Sequence, residues 1–431
     1  MAALRERNFR LYLFGQAVSN IGNWMQIVAL GWFILQINNG STIALGLLGL
    51  AQSLPVFALS LVGGMLADRF PRFKLLIVTQ GIAMVLALVL ALLSAQGKPP
   101  LWSLLLVAIM AASVTAIDNP ARQTFISDLV SKDVLLNAVA LNASIYNAAA
   151  VIGPTLAGLL LLSVGAAGCF LLNAVSFLAV LLALIVIGRS KSRDSTRSFN
   201  EKLVSRDLST PVSTSSGKGL QRNSPILSSL RTLGRQGVAI IAVLGIAAVS
   251  SLLGRPYLLL MPAFAHAIFH VGPAELGLMV TSSGSGSLIG SLLLVSLQSS
   301  RWLDWLLLIC GCGFGLVLVS FALLHAFIGA LPVLVMCGAG ATMTMTIANT
   351  MLQTYAPAEM RGRVMSLYTL IAAGLTPFGV LLISGLGTVI GLRAATLCAG
   401  VSVIIAVIIG VQCIRHQRAL FKNRWGKSTV L

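Results

Sequence analysis

The sequence predicts an all-α membrane protein with twelve transmembrane helices arranged as two six-helix halves. Of its 431 residues, 57% are hydrophobic and only 9% are charged, whereas soluble domains carry about a quarter charged residues. Apolar runs repeatedly reach the length of about 20 residues that a helix needs to cross a bilayer. Six of these runs precede a central polar stretch and six follow it. This composition excludes most soluble enzymes, secreted domains and disordered proteins.

The apolar runs define the helices in chain order. The predicted helices span residues 10–37, 42–66, 75–96, 101–118, 137–162, 166–188, 236–262, 275–298, 305–325, 328–352, 364–388 and 393–414. The first run is too long and too polar for the core of a cleavable signal peptide. We therefore expect four units, namely an N-terminal half, a basic flexible linker, a C-terminal half and a basic tail, at residues 1–188, 189–235, 236–414 and 415–431.

The net charge of +18 lies on one side of the predicted bundle. If the N-terminus is cytoplasmic and the helices alternate in direction, the 29 Lys and Arg residues all fall on the cytoplasmic side except Lys98, Arg255 and Arg393. Cytoplasmic loops of membrane proteins carry such an excess of Lys and Arg. We therefore expect a multi-pass protein of the inner (plasma) membrane with both termini cytoplasmic, and no nucleic-acid partner.

The two halves share a weak internal repeat. The segment ISDLVSKDVLLNAVALN leads into the fifth predicted helix, and LQTYAPAEMRGRVMSLY leads into the eleventh. A shift of 226 positions brings Leu141 onto Leu367 and Gly153 onto Gly379. Halves related by a parallel repeat are an architecture of secondary transporters.

The loop between the second and third predicted helices carries a family signature. Residues 63–74 read GGMLADRFPRFK, which resembles the major facilitator superfamily loop G-x-L-A-D-R-x-G-R-[RK]. The segment departs from this pattern at Pro71, where Gly is usual, and at Phe73, where a basic residue is usual. With the twelve predicted helices, the resemblance covers nearly the whole chain and implies the major facilitator fold.

The resemblance implies that this loop latches a cytoplasmic gate in the outward-open state. Gly63 and Gly64 permit close approach of a neighbouring helix, and the arginines of the loop can bond a carboxylate. We expect Asp118, at the end of the fourth predicted helix, to pair with Arg69. A plain turn with topogenic charges, and a proton-carrying role for Asp118, are the alternatives. The gating candidates are Gly64, Asp68, Arg69, Arg72, Asp118 and Arg122.

Two further segments narrow the resemblance to one branch of the superfamily. The sequences NFRLYLFGQ at residues 8–16 and DNPAR at 118–122 look like those of an exporter branch that contains enterobactin-type siderophore exporters and macrolide efflux pumps. The fifth predicted helix also resembles part of an antiporter motif with a Gly-Pro core. We expect a hinge that serves rocking, or packing alone, at Gly153, Pro154, Gly158, Gly374 and Pro377.

Polar residues within the predicted helices mark a candidate substrate cavity. Four amides lie on one face of the first helix, because they recur at steps of four, three and three. Such a face lines a water-filled cavity or bonds a neighbouring helix. Arg255 meets an anionic substrate group or lies near the outer interface. The candidates are Gln16, Asn20, Asn23, Trp24, Gln26, Asn142, Tyr146, Arg255, Thr346 and Asn349.

The sequence lacks the signatures of catalysis. It has no Walker A motif, its six cysteines lack metal-ligand spacing, and no obvious carboxylate lies near the middle of a predicted helix. We expect no enzymatic activity, no cofactor and no metal. We predict a monomeric secondary transporter that exports a small organic molecule, with the lipid bilayer and protons as its other partners. An importer or lipid-handling carrier on the same fold, and a non-transporting membrane scaffold or sensor, are the alternatives.

Overall fold

The protein is all-helical in the part of the chain that the structure describes. The computed structural model describes residues 2–204, 237–296, 303–356 and 360–425, and these ranges contain helices and no strand. Twelve helical segments within them are long and apolar enough to cross a membrane. The predicted fold class is therefore confirmed.

The first half contains six long helices. They are α1 (Arg7–Ile37), α2 (Thr42–Arg69), α3 (Arg72–Ala95), α4 (Leu101–Leu129), α5 (Leu135–Ser163) and α6 (Gly165–Val204). Two predicted ends are wrong, because α4 continues beyond residue 118 and α6 runs on through residues 189–204 of the predicted flexible linker. The rest of that linker lies outside the described residues. A helix that leaves the apolar layer can continue in polar sequence, so loss of hydropathy does not mark its end.

The second half contains two interrupted spans. Its helices are α7 (Val238–Val249), α8 (Pro273–Ser296), α9 (Leu303–Leu323), α10 (Phe327–Tyr355), α11 (Arg361–Gly374), α12 (Thr376–Ile390) and α13 (Leu392–Trp425). The last of these extends into the predicted tail. The eleventh span is divided into α11 and α12 just before Pro377. A proline cannot donate the hydrogen bond that an uninterrupted helix requires there.

The seventh span loses regular geometry beyond α7. It passes through a π turn at Ser250–Gly254, a 3-10 turn at Arg255–Leu258 and a second π turn at Phe264–Ile268. Pro256 and Pro262 lie within this stretch and remove two backbone donors. Broken helices of this kind are tolerated at membrane depth where they are buried in protein or line a cavity.

Each half is a bundle of its own, and the halves meet at two helix crossings. Within the first half α1 packs on α5 and α6, and α2 packs on α4; within the second, α8 packs on α10 and α9 packs on α13. Between the halves, the main contacts are those of α5 with α8 and of α2 with α12.

The crossing of α5 and α8 brings two backbones into contact. A Cβ atom at Gly158 would lie 2.7 Å from the Pro273 carbonyl oxygen, and one at Gly277 would lie 2.6 Å from the Pro154 carbonyl oxygen. The hydroxyls of Thr155 and Thr281 share a hydrogen bond of 2.7 Å. Only glycine permits such a close approach of two helices.

The crossing of α2 and α12 lies at the same end of the bundle. Thr42 donates from its hydroxyl to the Ser384 carbonyl oxygen at 3.3 Å, and a Cβ at Gly46 would lie 3.1 Å from the Leu381 Cα. We call this end, where α1 passes into α2, the sealed end. At the opposite end, Leu136 on α5 is 83% exposed. We call that opposite end the basic end, because it carries most of the Lys and Arg residues that the structure describes.

The glycine contact between the halves predicts that one added methyl group lowers thermal stability at the crossing but not at a glycine outside it. Gly277→Ala overpacks the crossing, which costs about 1–3 kcal/mol. Gly245→Ala on α7 is the matched control, because a Cβ there would meet no atom within 4 Å, and alanine stabilises a helix relative to glycine by about 0.5–1 kcal/mol. We expect a lower thermal unfolding midpoint for the first variant only. Equal midpoints for the two variants would contradict the crossing.

Candidate functional site

A buried ion pair lies inside the first half. Asp118 on α4 is 4% exposed and accepts hydrogen bonds from the Thr79 hydroxyl at 2.7 Å and from Gln80 Nε2 at 2.9 Å. Those two bonds go to Oδ1; Arg122, one turn along α4, donates from Nε to Oδ2 at 3.0 Å, and its Nη2 pairs with the same Oδ2. Four hydrogen bonds thus hold a carboxylate that would be costly in a membrane protein without partners.

The prediction that Asp118 pairs with Arg69 is wrong. Arg122 occupies the expected place, and Arg69 lies exposed at the end of α2. The error follows from the length of α4, because Asp118 does not end this helix but lies within it. Residues four apart on a helix are neighbours, so the nearest cation is on the same helix.

The signature loop contacts α4 through one hydrogen bond and one close backbone approach. Arg72 Nη1 donates to the Asp128 carboxylate at 2.7 Å, which supplies a carboxylate bond of the expected kind. A Cβ at Gly63 would collide with the Ala116 carbonyl oxygen, whereas a Cβ at Gly64 would meet nothing within 4 Å. Close packing therefore depends on Gly63, and the same expectation for Gly64 is wrong. The Asp68 side chain lies outside the part of the chain that the structure describes.

The amides of α1 bond neighbouring side chains. Gln16 donates from Nε2 to Asn20 Oδ1 at 3.2 Å, and Arg122 Nη1 reaches the same oxygen at 3.4 Å. Asn173 on α6 donates to Gln26 Oε1 at 2.7 Å and to Asn23 Oδ1 at 3.4 Å. Helix-to-helix hydrogen bonding, one of the two alternatives for this face, is therefore present.

Three of these amides also line a cavity inside the first half, which we call the N-half cavity. Its volume is about 320 Å³. Apolar side chains of α3 and α4 form one wall. The polar lining consists of Asn20, Asn23, Trp24, Gln26, Gln52, Thr79, Gln80, Thr115, Asp118, Asn119, Arg122 and Tyr146. The amide face of α1 thus both bonds side chains of neighbouring helices and lines a cavity.

A second cavity lies between the two halves, and we call it the interhalf cavity. Its volume is about 230 Å³, and its wall is aliphatic apart from Trp24, Gln52, Arg255 and Thr376. Arg255 stands in the broken part of the seventh span and is exposed. The described residues show no hydrogen bond or ion pair to its guanidinium. The structure therefore places this cation in the wall of the interhalf cavity.

The predicted cavity residues divide into three groups. Asn20, Asn23, Trp24, Gln26 and Tyr146 line the N-half cavity, and Arg255 lines the interhalf cavity together with Trp24. The rings of Trp24 and Tyr146 pack with centroids 5.9 Å apart. Gln16 is 1% exposed and belongs to the buried network. The walls of these two cavities do not include Asn142, Thr346 and Asn349.

Sequence reasoning missed six polar residues of the two walls, namely Gln52, Thr79, Gln80, Thr115, Asn119 and Thr376. Gln52 is the only amide in the second predicted apolar run, Thr79 and Gln80 form an adjacent polar pair in the third, and Thr376 precedes Pro377 in the eleventh. Each of these four therefore gave the same signal as the amides of α1, a polar side chain inside an apolar helix. Their isolation hid them, because no helical periodicity connects them.

The expected hinge residues occupy helix contacts and a helix break. A Cβ at Gly153 would lie 2.9 Å from the Ile21 carbonyl oxygen of α1, and Gly158 is part of the crossing with α8. Gly374 ends α11 next to the Phe57 ring of the other half. A Cβ added at Gly374 would lie 3.2 Å from a carbon of that ring. These contacts account for packing, and their role in motion stays a prediction.

The buried pair predicts a large stability difference between two carboxylates. Asp118→Asn leaves Arg122 buried without a counter-charge, which costs about 3–5 kcal/mol. Asp128→Asn is the control, because its bond to Arg72 is 36% exposed on both sides and such pairs contribute about 0–1 kcal/mol. We expect this order in unfolding free energies from titration with sodium dodecyl sulfate, and partial recovery when Asp118→Asn is combined with Arg122→Gln. Similar losses for both single variants would contradict the assigned pairing.

The chain is similar to known exporters along its length. It is 24% identical to the multidrug efflux pump Tap of Mycolicibacterium fortuitum, over 93% of this chain and 94% of that protein. It is 25% identical to the enterobactin exporter EntS of Salmonella paratyphi A, over 86% and 84%. A shorter match, 30% identical, joins 38% of this chain to 42% of the staphyloferrin A transporter of Staphylococcus aureus.

Solved structures and a family model agree on the fold. A bacterial homologue of the iron transporter ferroportin in an inward-facing state superposes with a TM-score of 0.66 at 18% identity, covering 94% of this chain and 98% of that one. A bacterial homologue of the lysosomal transporter Spinster gives 0.65 at 16% identity, covering 95% and 97%. The family model described as transmembrane secretion effector matches residues 1–420. The chain therefore belongs to the transmembrane secretion effector family of the major facilitator superfamily, whose members are membrane transporters.

Proposed function

We propose that this transporter exports a small organic molecule by alternating access in antiport with protons. The observation that carries the proposal is the interhalf cavity. The two glycine crossings close it on one side, and it contains Arg255, a cation with no bonded partner in the described part of the chain. A closed crossing at one end of the bundle is one half of an alternating-access cycle, in which the other end would be open. Relatives named for export of drugs and of enterobactin support drugs or siderophores as substrate classes.

The charge distribution supports the orientation of this cycle. Most of the Lys and Arg residues that the structure describes lie at the basic end, and such an excess marks the cytoplasmic face. The conformation described here is then inward-facing, as are the bacterial homologues of Spinster and of ferroportin. In this orientation the protein crosses the inner (plasma) membrane with both termini in the cytoplasm, and one chain suffices for transport.

The change to the outward-open state requires the sealed end to part and the basic end to close. The signature loop is the proposed latch of the closed basic end, through Asp68, Arg69 and Arg72. The helix break between Gly374 and Pro377 adjoins the other half through Phe57. This break supplies a flexible point at the boundary along which the halves would rock.

Asp118 is the proposed proton carrier. It is buried, it lines the N-half cavity and its counter-charge Arg122 lies in the same wall. Protonation removes the negative charge, weakens the bond to Arg122 and leaves the cluster with a net positive charge. A carboxylate that gains and loses its proton on opposite sides of the cycle would connect the gradient to the conformation of the first half.

Inside-out membrane vesicles test direction and coupling together. With the lumen acidified, the wild-type protein should accumulate a transported drug or siderophore and dissipate the pH gradient, followed with a pH-sensitive dye. Asp118→Asn should abolish accumulation against a gradient but retain downhill exchange, because its cavity remains. Asp133→Asn is the control, since this acid is exposed between α4 and α5.

Three outcomes of the vesicle assay would contradict the proposal. Accumulation that is unaffected by collapse of the pH gradient would exclude proton coupling. Full uphill transport by Asp118→Asn would exclude Asp118 as the carrier. Substrate loss from the lumen, rather than uptake, would indicate import in the cell.

A further inference from the structure

The two cavities are neighbours that share part of their walls. Trp24, Ile27 and Gln52 line both the interhalf cavity and the N-half cavity. Their volumes are about 230 and 320 Å³, whereas sites for drug-sized ligands measure about 300–1,000 Å³. The interhalf cavity alone is small for such a ligand, and the pair of cavities is large enough. This geometry favours one ligand that lies across both.

The interhalf cavity fits the anionic and apolar part of such a ligand. Arg255 is the one ionised residue among the described residues of its wall, and its other walls include Leu45, Leu48 and Val280. Its exposed guanidinium has no bonded partner among the described residues, so it can pair with the anionic group of a ligand. A cationic ligand of the same shape would be repelled.

The N-half cavity fits a neutral, hydrogen-bonding part. Its amides offer both donors and acceptors, and the charges of Asp118 and Arg122 cancel within their ion pair. The packed rings of Trp24 and Tyr146 provide an aromatic surface in its wall, against which a planar group can stack. Trp24 lines both cavities, so this aromatic pair adjoins the boundary that they share.

Gln52 is placed to select the ligand. Its side chain on α2 is half-buried and belongs to both walls. In the described ranges its amide makes no hydrogen bond to the protein. A free amide at the boundary between an aliphatic and a polar cavity can bond the middle of a ligand that crosses that boundary. A ligand confined to the interhalf cavity would gain less from it.

We propose that the substrate class is an elongated anionic amphiphile, bound with its anionic group at Arg255 and its neutral polar end in the N-half cavity. Gln52 is then a specificity-determining residue that favours ligands long enough to cross between the cavities. This inference rests on the proposed function, because it names the substrate chemistry of the same cavity.

Binding of three small-molecule probes to the purified protein in nanodiscs, measured by fluorescence or by calorimetry, tests the inference. Carboxyfluorescein and rhodamine 123 share a xanthene core but differ in the sign of their charge, and 2-naphthoate is a short anion. We expect carboxyfluorescein to bind about tenfold more tightly than rhodamine 123. Arg255→Gln should remove this preference, and Arg255→Lys should restore most of it, because the lysine keeps the charge.

The contribution of Gln52 is tested with two anionic probes of different length. Gln52→Leu should weaken carboxyfluorescein about fivefold, the effect of one hydrogen bond, and leave 2-naphthoate unchanged. Equal weakening of both anions, preference for rhodamine 123, or absence of carboxyfluorescein binding would each overturn the inference. Thermal unfolding midpoints of the variants establish that they are folded. Because binding is measured without a gradient, these outcomes are distinguishable from a failure of proton-coupled export.

Discussion

The absence of water in the bilayer core is the constraint on which this structure depends. Every backbone donor and acceptor in the hydrocarbon layer needs a partner within the protein, so the chain forms long helices and polar side chains collect between them. Asp118 with its four hydrogen bonds is the strongest case in the described part of the chain. The broken seventh span follows the same rule, because its irregular backbone lines a cavity.

Close van der Waals packing and hydrogen bonds together hold the two halves in contact. Hydrophobic attraction between helices is weak in lipid, so association depends on close van der Waals packing and on hydrogen bonds. At the sealed end, Gly158 and Gly277 bring α5 and α8 together, and the hydroxyl bond between Thr155 and Thr281 adds direction. A contact built from small residues can separate without leaving charged groups unpaired. This property suits an interface that must open during each transport cycle.

Charge is distributed differently in the two cavities. The N-half cavity holds a cation and an anion that neutralise each other, whereas the interhalf cavity holds a cation without a protein partner. In this proposal proton exchange belongs to the first arrangement, because protonation of Asp118 removes the counter-charge of Arg122. Recognition of a ligand belongs to the interhalf cavity, because a bound anion can supply the counter-charge for Arg255.

The fold could be predicted from sequence because hydropathy and charge asymmetry act over whole helices. The site could be predicted only in part. The amides of α1 were found through their helical periodicity, whereas Gln52 is the only amide of its predicted run and Gln80 has only Thr79 beside it, so neither gave a periodic pattern. The end of α4 was misplaced because a charged pair looks like a helix end, although Asp118 and Arg122 neutralise each other inside it. Such pairings depend on three-dimensional neighbours that one sequence does not show.

Alternating access around these two cavities is the central claim, and paired spin-label distances test it most directly. Labels at Leu136 and Leu292 report the basic end, and labels at Leu162 and His270 report the sealed end; all four side chains are exposed. Between neutral and acidic pH, the account predicts that the two distances change in opposite directions, and that Asp118→Asn removes this response. Distances that stay constant, or that lengthen and shorten together, would contradict it.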